Sequence, residues 1–134
     1  MKPMPHRVLI VDDEPNIVTS LEFLMRLGEY EVRVAGNGDE ALRLVESFVP
    51  DVVLLDVMMP QRSGFEVCRK IRQNPELSGV KIVMLTARGR DAERDRGLSL
   101  GANAYVTKPF STKELMSTVR DLLDSSAQRD GSAA

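Results

Sequence analysis

The segment "DVVLLD" (51–56) places the strongest constraint on how this chain folds. Its four central residues are branched and apolar, with no polar residue between them, a pattern that predicts a strand buried on both faces. Such a strand needs a packed layer on each side, which a sheet covered by helices on both faces provides. The strand then runs directly into Asp56, whose carboxylate is costly to bury without a partner. This acid therefore requires a polar pocket at the end of the strand.

Segments of strand character alternate with segments of helical character along the chain. We predict strands at 7–11, 30–36, 51–56, 80–87 and within 102–108, and helices at 14–29, 39–48, 65–73, 91–101 and 111–125. Pro15 suits a first helical turn, Asp39 is predicted to begin and cap the second helix, and Ser111 with Glu114 forms a capping box. Because each helix carries the chain back before the next strand begins, the strands pair in parallel. The predicted fold class is α/β, with a doubly wound five-stranded sheet.

Length and composition suit one domain with a substantial core, since the chain has 134 residues and is 43% hydrophobic. We predict an irregular lead at 1–6, the domain at 7–124, and a flexible tail or linker stub at 125–134. Its 18 basic and 20 acidic residues are mixed along the chain, which argues against direct nucleic-acid binding. The single Cys68 excludes an internal disulfide, and no membrane span or signal peptide is visible, so a cytoplasmic setting is expected.

Polar residues follow four of the five predicted strands. Asp12 and Asp13 follow the first, Asp56 the third, Thr86 the fourth and Lys108 the fifth. Ligands of such sheets bind at the carboxyl ends of the strands, so these side chains should share one crevice.

Three carboxylates in one crevice repel each other, and protonation or a cation must relieve that repulsion. Magnesium fits best, because it prefers oxygen ligands, whereas zinc would require His or Cys. With the metal bound, a carboxylate oxygen can attack a phosphoryl group. Lys108 would then pair with the phosphoryl oxygens, and Thr86 would donate a hydrogen bond to one of them.

Four motifs carry a resemblance to a known family: "VDDEP", "LLDVMMPQRSGFE", "MLTA" and "GANAYVTKPF". In this order and spacing, the chain resembles the receiver domains of bacterial two-component response regulators over roughly residues 7 to 124. The resemblance implies a flavodoxin-like fold with strand order 2-1-3-4-5. It also implies a switch that catalyses only its own phosphorylation and dephosphorylation.

The same resemblance assigns roles to individual residues. It implies that Asp56 accepts a phosphoryl group from the phosphohistidine of a kinase. Mg²⁺ would be held by Asp13, Asp56 and the backbone carbonyl of Met58, with Asp12 acting largely through a metal-bound water. Lys108 would contact the phosphoryl group, and its bond to Pro109, as X-Pro, is one that can be cis.

Further implications concern switching and phosphoryl lifetime. Thr86 and Tyr105 match the switch pair: the Thr86 hydroxyl would turn toward the phosphoryl group, and Tyr105 would rotate inward. Met58 and Arg88 occupy two positions that affect phosphoryl lifetime in the family. Neither is an acid or amide able to position an attacking water, so we expect slow self-dephosphorylation.

The partners implied are a sensor histidine kinase or phosphotransfer protein, and a downstream effector on the surface of the fourth helix, fifth strand and fifth helix. A phosphorylation-dependent homodimer stays open, although Asn103 and Ala104 stand where dimerising members commonly carry acids. No nucleic acid or membrane contact is expected of this domain.

Other functions remain to be weighed against this one. An aspartate-nucleophile phosphatase would place a second acid two residues after the nucleophile, where this chain has Met58. A purely structural interaction domain would not depend on Asp56. Taken singly, Asp12 and Asp13 could merely cap the first helix, and Tyr105 could be a half-buried core aromatic.

Overall fold

A parallel sheet forms the centre of the protein. The computed structural model describes residues 5–59, 61–87 and 91–133, without the side chains of 91–93 and 125–133. Within these residues the sheet has five strands in the order β2-β1-β3-β4-β5, all parallel, which confirms the predicted fold class and strand order. The strands are β1 (Arg7–Val11), β2 (Glu31–Ala35), β3 (Val52–Asp56), β4 (Lys81–Thr86) and β5 (Ala104–Thr107).

Helices connect the strands and cover both faces of the sheet. They are α1 (Pro15–Leu27), α2 (Gly38–Phe48), α3 (Gly64–Arg72), α4 (Asp91–Ser99) and α5 (Thr112–Ala133), with a short 3₁₀ turn at Pro75–Leu77. Among the described residues, no helix has both the length and the apolar character needed to span a bilayer.

Strand β3 separates two apolar clusters. Val53 and Leu55 belong to the cluster covered by α2 and α3, whereas Val52 and Leu54 belong to the cluster covered by α1 and α5. All four residues are completely buried, as the uninterrupted apolar run predicts. Cys68 is also buried, within the first of these clusters, where it packs as a small hydrophobe.

The helix starts agree with the sequence at two places and differ at a third. Pro15 is the first residue of α1, and the Ser111 hydroxyl accepts a hydrogen bond from the Glu114 N–H at 3.2 Å. The prediction that Asp39 begins and caps α2 is wrong. The cap is Asn37, whose side chain accepts from the Glu40 N–H at 2.8 Å, because an asparagine at this position satisfies a free N–H as well as an aspartate would.

The last helix is longer than the sequence predicts. The predicted helix ends at residue 125, whereas the backbone of α5 is helical to Ala133; the division into a domain at 7–124 and a tail at 125–134 stays a prediction. The segment 125–133 contains no proline, and its single glycine lies near its end, so nothing in its backbone chemistry stops the helix. Of the predicted irregular lead at 1–6, only Pro5 and His6 are described, and neither lies in a helix or strand.

Helix α4 packs on the sheet through a glycine. Gly97 is buried, and a Cβ atom built on it would lie 3.5 Å from Met84 Cγ and 3.6 Å from ring atoms of Phe65 and Tyr105. These are ordinary van der Waals distances, so the structure has room for a methyl group there. Gly101, by contrast, has φ +108°, and a Cβ there would lie 2.6 Å from Arg72 Cγ.

This contrast yields a prediction for two variants. Gly97→Ala should raise the free energy of unfolding by up to about 1 kcal/mol, because alanine favours a helix and fits the space. Gly101→Ala should lower it by about 1 kcal/mol or more, because a left-handed backbone and a steric overlap both oppose the methyl group. Urea denaturation measures both values, and effects of the same sign in the two variants would contradict the prediction.

Candidate functional site

Three acids converge at the carboxyl end of the sheet. Strands β1 and β3 are paired with Val11 opposite Leu55, which places Asp12 beside Asp56. Carboxylate oxygens of Asp12, Asp13 and Asp56 all lie within 4.8 Å of one another. Asp12 and Asp56 are 1% and 3% exposed, whereas Asp13 faces solvent. The crevice that the strand-end pattern predicts is therefore present.

One ammonium group faces these acids. Lys108 Nζ lies 3.0 Å from Asp12 Oδ2, 3.4 Å from Asp56 Oδ1 and 3.7 Å from Glu14 Oε1. Burial disfavours the charge of this lysine, but the hydrogen bond to Asp12 and the negative charge of Asp56 outweigh burial and raise the pKa of Lys108. The lysine therefore stays a cation inside the pocket.

Asp56 holds its proton more tightly than an ordinary aspartate. Burial, and next the charge of Asp12, raise its pKa from 3.8 to about 6, against the opposing effects of Lys108 and of the Met58 N–H. That N–H donates to Asp56 Oδ1 at 3.2 Å. The pocket thus carries more negative charge than its lysine can balance.

The acidic excess fits a hard divalent cation. The cluster offers three carboxylates, which are the ligands that Mg²⁺ prefers, and no histidine or cysteine of the described residues belongs to it. A bound cation would also relieve the repulsion that raises the pKa of Asp56. The site therefore has the oxygen ligands and the unbalanced negative charge that magnesium binding requires.

The backbone around the pocket is fixed by short contacts. The Asp12 carboxylate accepts from the Glu14 N–H at 2.9 Å, and the Thr86 carbonyl accepts from the Lys108 N–H at 2.6 Å. The peptide bond between Lys108 and Pro109 is cis. These contacts tie the ends of β1, β4 and β5 to the pocket, so its charged groups are held in place by the sheet.

The segment after β3 folds back directly onto the end of that strand. The Gly64 N–H donates to the Val57 carbonyl at 2.9 Å, and a Cβ on Gly64 would overlap the carbonyl oxygen of Asp56. The sequence analysis did not identify Gly64, although a glycine that closes a loop after a strand is a signal of close backbone approach. It also did not identify Glu14, a fourth acid of the pocket and the third that lies within 4.0 Å of Lys108 Nζ among the described residues.

The other residues singled out from the sequence lie around the pocket. Thr86 is buried at the end of β4, next to the strand that carries Asp56. Tyr105 is half-buried on β5 and packs against the core and α4. The Met58 side chain is 58% exposed, and its backbone N–H, described above, faces Asp56. Arg88 lies outside the described residues.

A groove of about 410 Å³ lies beside Lys108, between α1 and the start of α5. Phe23 on α1 lines it and is 64% exposed, and Leu27, one turn further along, is 63% exposed. An apolar strip of this kind therefore adjoins the polar pocket.

Comparison with known proteins identifies relatives over most of the chain. A family model described as "Response regulator receiver domain" matches residues 8–120. A putative response regulator from Chloroflexus aurantiacus J-10-fl is 39% identical, with 90% of this chain and 99% of that chain covered and a TM-score of 0.86. Chemotaxis protein CheY4 of Vibrio cholerae is 31% identical (87% and 98% covered, TM-score 0.83). The receiver domain of a signal transduction histidine kinase from Syntrophus aciditrophicus is 30% identical (90% and 92% covered, TM-score 0.83).

The raised pKa of Asp56 predicts how stability changes with pH. The pKa of Asp56 in the folded protein, about 6, exceeds the ordinary value of 3.8. The contribution of Asp56 to the free energy of unfolding is therefore fully present below about pH 4 and is lost as the pH rises through about 6. Asp56→Asn, measured with a metal chelator present, should therefore be more stable than wild type by about 1–3 kcal/mol at about pH 7.5.

Urea denaturation across this pH range tests the prediction. The advantage of Asp56→Asn should shrink toward zero at about pH 4. Asp13→Asn is the matched control, because Asp13 is exposed, and its effect should stay within about 0.5 kcal/mol. An Asp56→Asn advantage that does not vary with pH would contradict the assignment.

Proposed function

The chain belongs to the response regulator receiver domain family, and we propose that it accepts a phosphoryl group on Asp56 and thereby switches a downstream partner. The observation that carries this proposal is the placement of Asp56 at the end of a buried strand, with Lys108 at 3.4 Å and two further acids beside it. A carboxylate held rigidly next to a cation and a metal-binding cluster is suited to attack phosphorus.

The contacts of Asp56 indicate which oxygen reacts. Among the described residues, the hydrogen bond from Met58 and the contact from Lys108 both fall on Oδ1. We therefore assign Oδ2 as the nucleophile: it forms the new P–O bond while the bond from phosphorus to the donor breaks, and the donor's histidine nitrogen keeps the electron pair. Mg²⁺, held by Asp13, Asp56 and the Met58 carbonyl, with Asp12 acting through a bound water, would neutralise charge on the transferring oxygens.

Lys108 and Thr86 serve the phosphorylated state in this proposal. Lys108 shifts from its contact with Asp56 to the phosphoryl oxygens, which keeps the buried charge paired. Thr86 donates its hydroxyl to another phosphoryl oxygen, and Tyr105 rotates inward to fill the space that Thr86 leaves. The burial of Thr86 and the position of Tyr105 against α4 support this coupling.

The partners follow from the family and from the surface. We propose a sensor histidine kinase or phosphotransfer protein as the donor, acting in the cytoplasm, and an effector that contacts α4, β5 and α5. The exposed Phe23 and Leu27 beside the pocket support α1 as the side on which a protein donor approaches. A phosphorylation-dependent homodimer is a second outcome of the same switch.

A phosphatase acting on external substrates is the competing function. Such an enzyme typically carries its general acid two residues after the nucleophile, and that position here is Met58, whose thioether cannot exchange a proton. This argues for a switch that reacts only with its own phosphoryl group. Steady phosphate release from a small phosphoester such as p-nitrophenyl phosphate would favour the phosphatase instead.

Incubation with acetyl phosphate and Mg²⁺ tests the proposed function. Intact mass spectrometry of the wild type should show one added phosphoryl group, and Asp56→Asn should show none. Asp13→Asn or a chelator should slow labelling by about tenfold or more. The variant removes a carboxylate proposed to hold Mg²⁺, and the chelator removes the metal itself. Size-exclusion chromatography of the same samples reports whether phosphorylation changes association. Equal labelling of Asp56→Asn and wild type would refute the assignment of Asp56 as the phosphoryl acceptor.

The lifetime of the phosphoryl group gives a separate prediction. The wild type should lose it slowly, and Met58→Asn should lose it about two- to tenfold faster, because an amide at this exposed position can orient a water. Met58→Leu is the control and should behave as wild type. Loss of the phosphoryl group is followed by intact mass after the phosphodonor is removed, and a wild-type half-life of seconds would refute slow dephosphorylation.

A further inference from the structure

We propose that Arg62 is a positioning residue for the acceptor site: its guanidinium clamps the segment after β3 to α2 and α3 and thereby holds the Met58 backbone against Asp56. The geometry of the clamp stands independently of function. Its consequence for phosphoryl transfer rests on the function proposed above.

Arg62 joins three separate elements of the fold. Its Nε donates to Asp39 Oδ1 on α2 at 2.9 Å, and its Nη1 donates to Glu66 Oε2 on α3. Its stem lies against Gly38, where a Cβ would come within 2.9 Å of the Arg62 Cδ. The side chain is 28% exposed, so much of the guanidinium's stem is covered. A fork that bridges two helices in this way restrains more than an isolated surface ion pair does.

The residue before Arg62 shows why a restraint is needed. Gln61 has φ +70°, in the left-handed region that costs a non-glycine residue about 1–2 kcal/mol. Such a conformation persists only where the surroundings impose it. The Arg62 side chain is the neighbouring anchor, so its two ion pairs offset the backbone strain.

The other end of the segment is fixed at the acceptor. The Gly64 N–H donates to the Val57 carbonyl, and the Met58 N–H donates to Asp56 Oδ1. Among the described residues between Met58 and Arg62, Gln61 is the one with a left-handed backbone, so it is where the backbone can relax. Loss of the clamp should therefore release Gln61 to a negative φ and displace the Met58 backbone from Asp56.

Two measurements on Arg62→Ala test the proposal. Calorimetric titration should show Mg²⁺ binding weakened by about tenfold, and NMR should show faster hydrogen exchange at the Met58 amide in metal-free protein. The direction is diagnostic, because removing a cation near an acidic site would by charge alone tighten Mg²⁺ binding. Arg69→Ala is the matched control, because it removes an exposed arginine of α3. It should neither weaken Mg²⁺ binding nor speed hydrogen exchange at the Met58 amide.

A double variant isolates the role of strain. Gln61→Gly adopts the left-handed conformation without cost, so Arg62→Ala introduced into Gln61→Gly should weaken Mg²⁺ binding by about threefold or less. Asp39→Ala, which removes the acceptor of Arg62 Nε on α2, should give an intermediate increase in Met58 amide exchange and serves if Arg62→Ala does not fold.

The outcomes separate the clamp from the function. Arg62→Ala with wild-type Mg²⁺ affinity and wild-type Met58 exchange would overturn the clamp, as would Asp39→Ala with wild-type Met58 exchange. An equal loss with Gln or Gly at position 61 would also overturn it. A wild-type protein that neither binds Mg²⁺ nor takes a phosphoryl group would instead refute the proposed function, while the metal-free exchange measurement still decides the clamp.

Discussion

The burial of one carboxylate at the end of β3 is the constraint on which the rest of the site depends. Asp56 is 3% exposed, and its strand is enclosed by apolar residues on both faces, so the charge can be balanced only from the open edge. Lys108 supplies one cation there, against three clustered acids and Glu14 at the rim. Burial and the neighbouring charge of Asp12 together raise the pKa of Asp56, and the remaining excess of negative charge supports the affinity for a divalent ion that we propose.

The fold and the gathering of the acids follow from local sequence patterns. An uninterrupted apolar run at residues 52–55 requires helices on both faces, and alternating strands and helices require parallel pairing. Once the strands are parallel, the residues that follow them must share one edge of the sheet. Asp12, Asp56 and Lys108 could therefore be placed together although they are distant in the chain.

Features set by individual side-chain choices could not be predicted in the same way. Asn37 and Asp39 are both residue types that cap helices well. Their capping preferences are so similar that the surrounding packing decides which one is used. The ion pair between Asp39 and Arg62 joins residues in different elements, and the left-handed backbone of Gln61 carries no signal in a residue that is not glycine. The end of α5 could not be predicted, because the polar composition of residues 125–133 suggested a tail although the segment contains no residue that stops a helix before Gly131.

The position of β3 as the wall between two apolar clusters has a consequence for how the protein tolerates change. Successive residues of this strand lean into opposite halves of the interior, so a void opened in either half is felt by the backbone that ends in Asp56. Helices on both sides of β3 therefore affect the position of Asp56, the residue that we propose accepts the phosphoryl group. Substitutions in the cluster under α1 and α5 therefore act on the same strand as substitutions in the cluster under α2 and α3. Changes in one half of the core constrain which changes the other half tolerates.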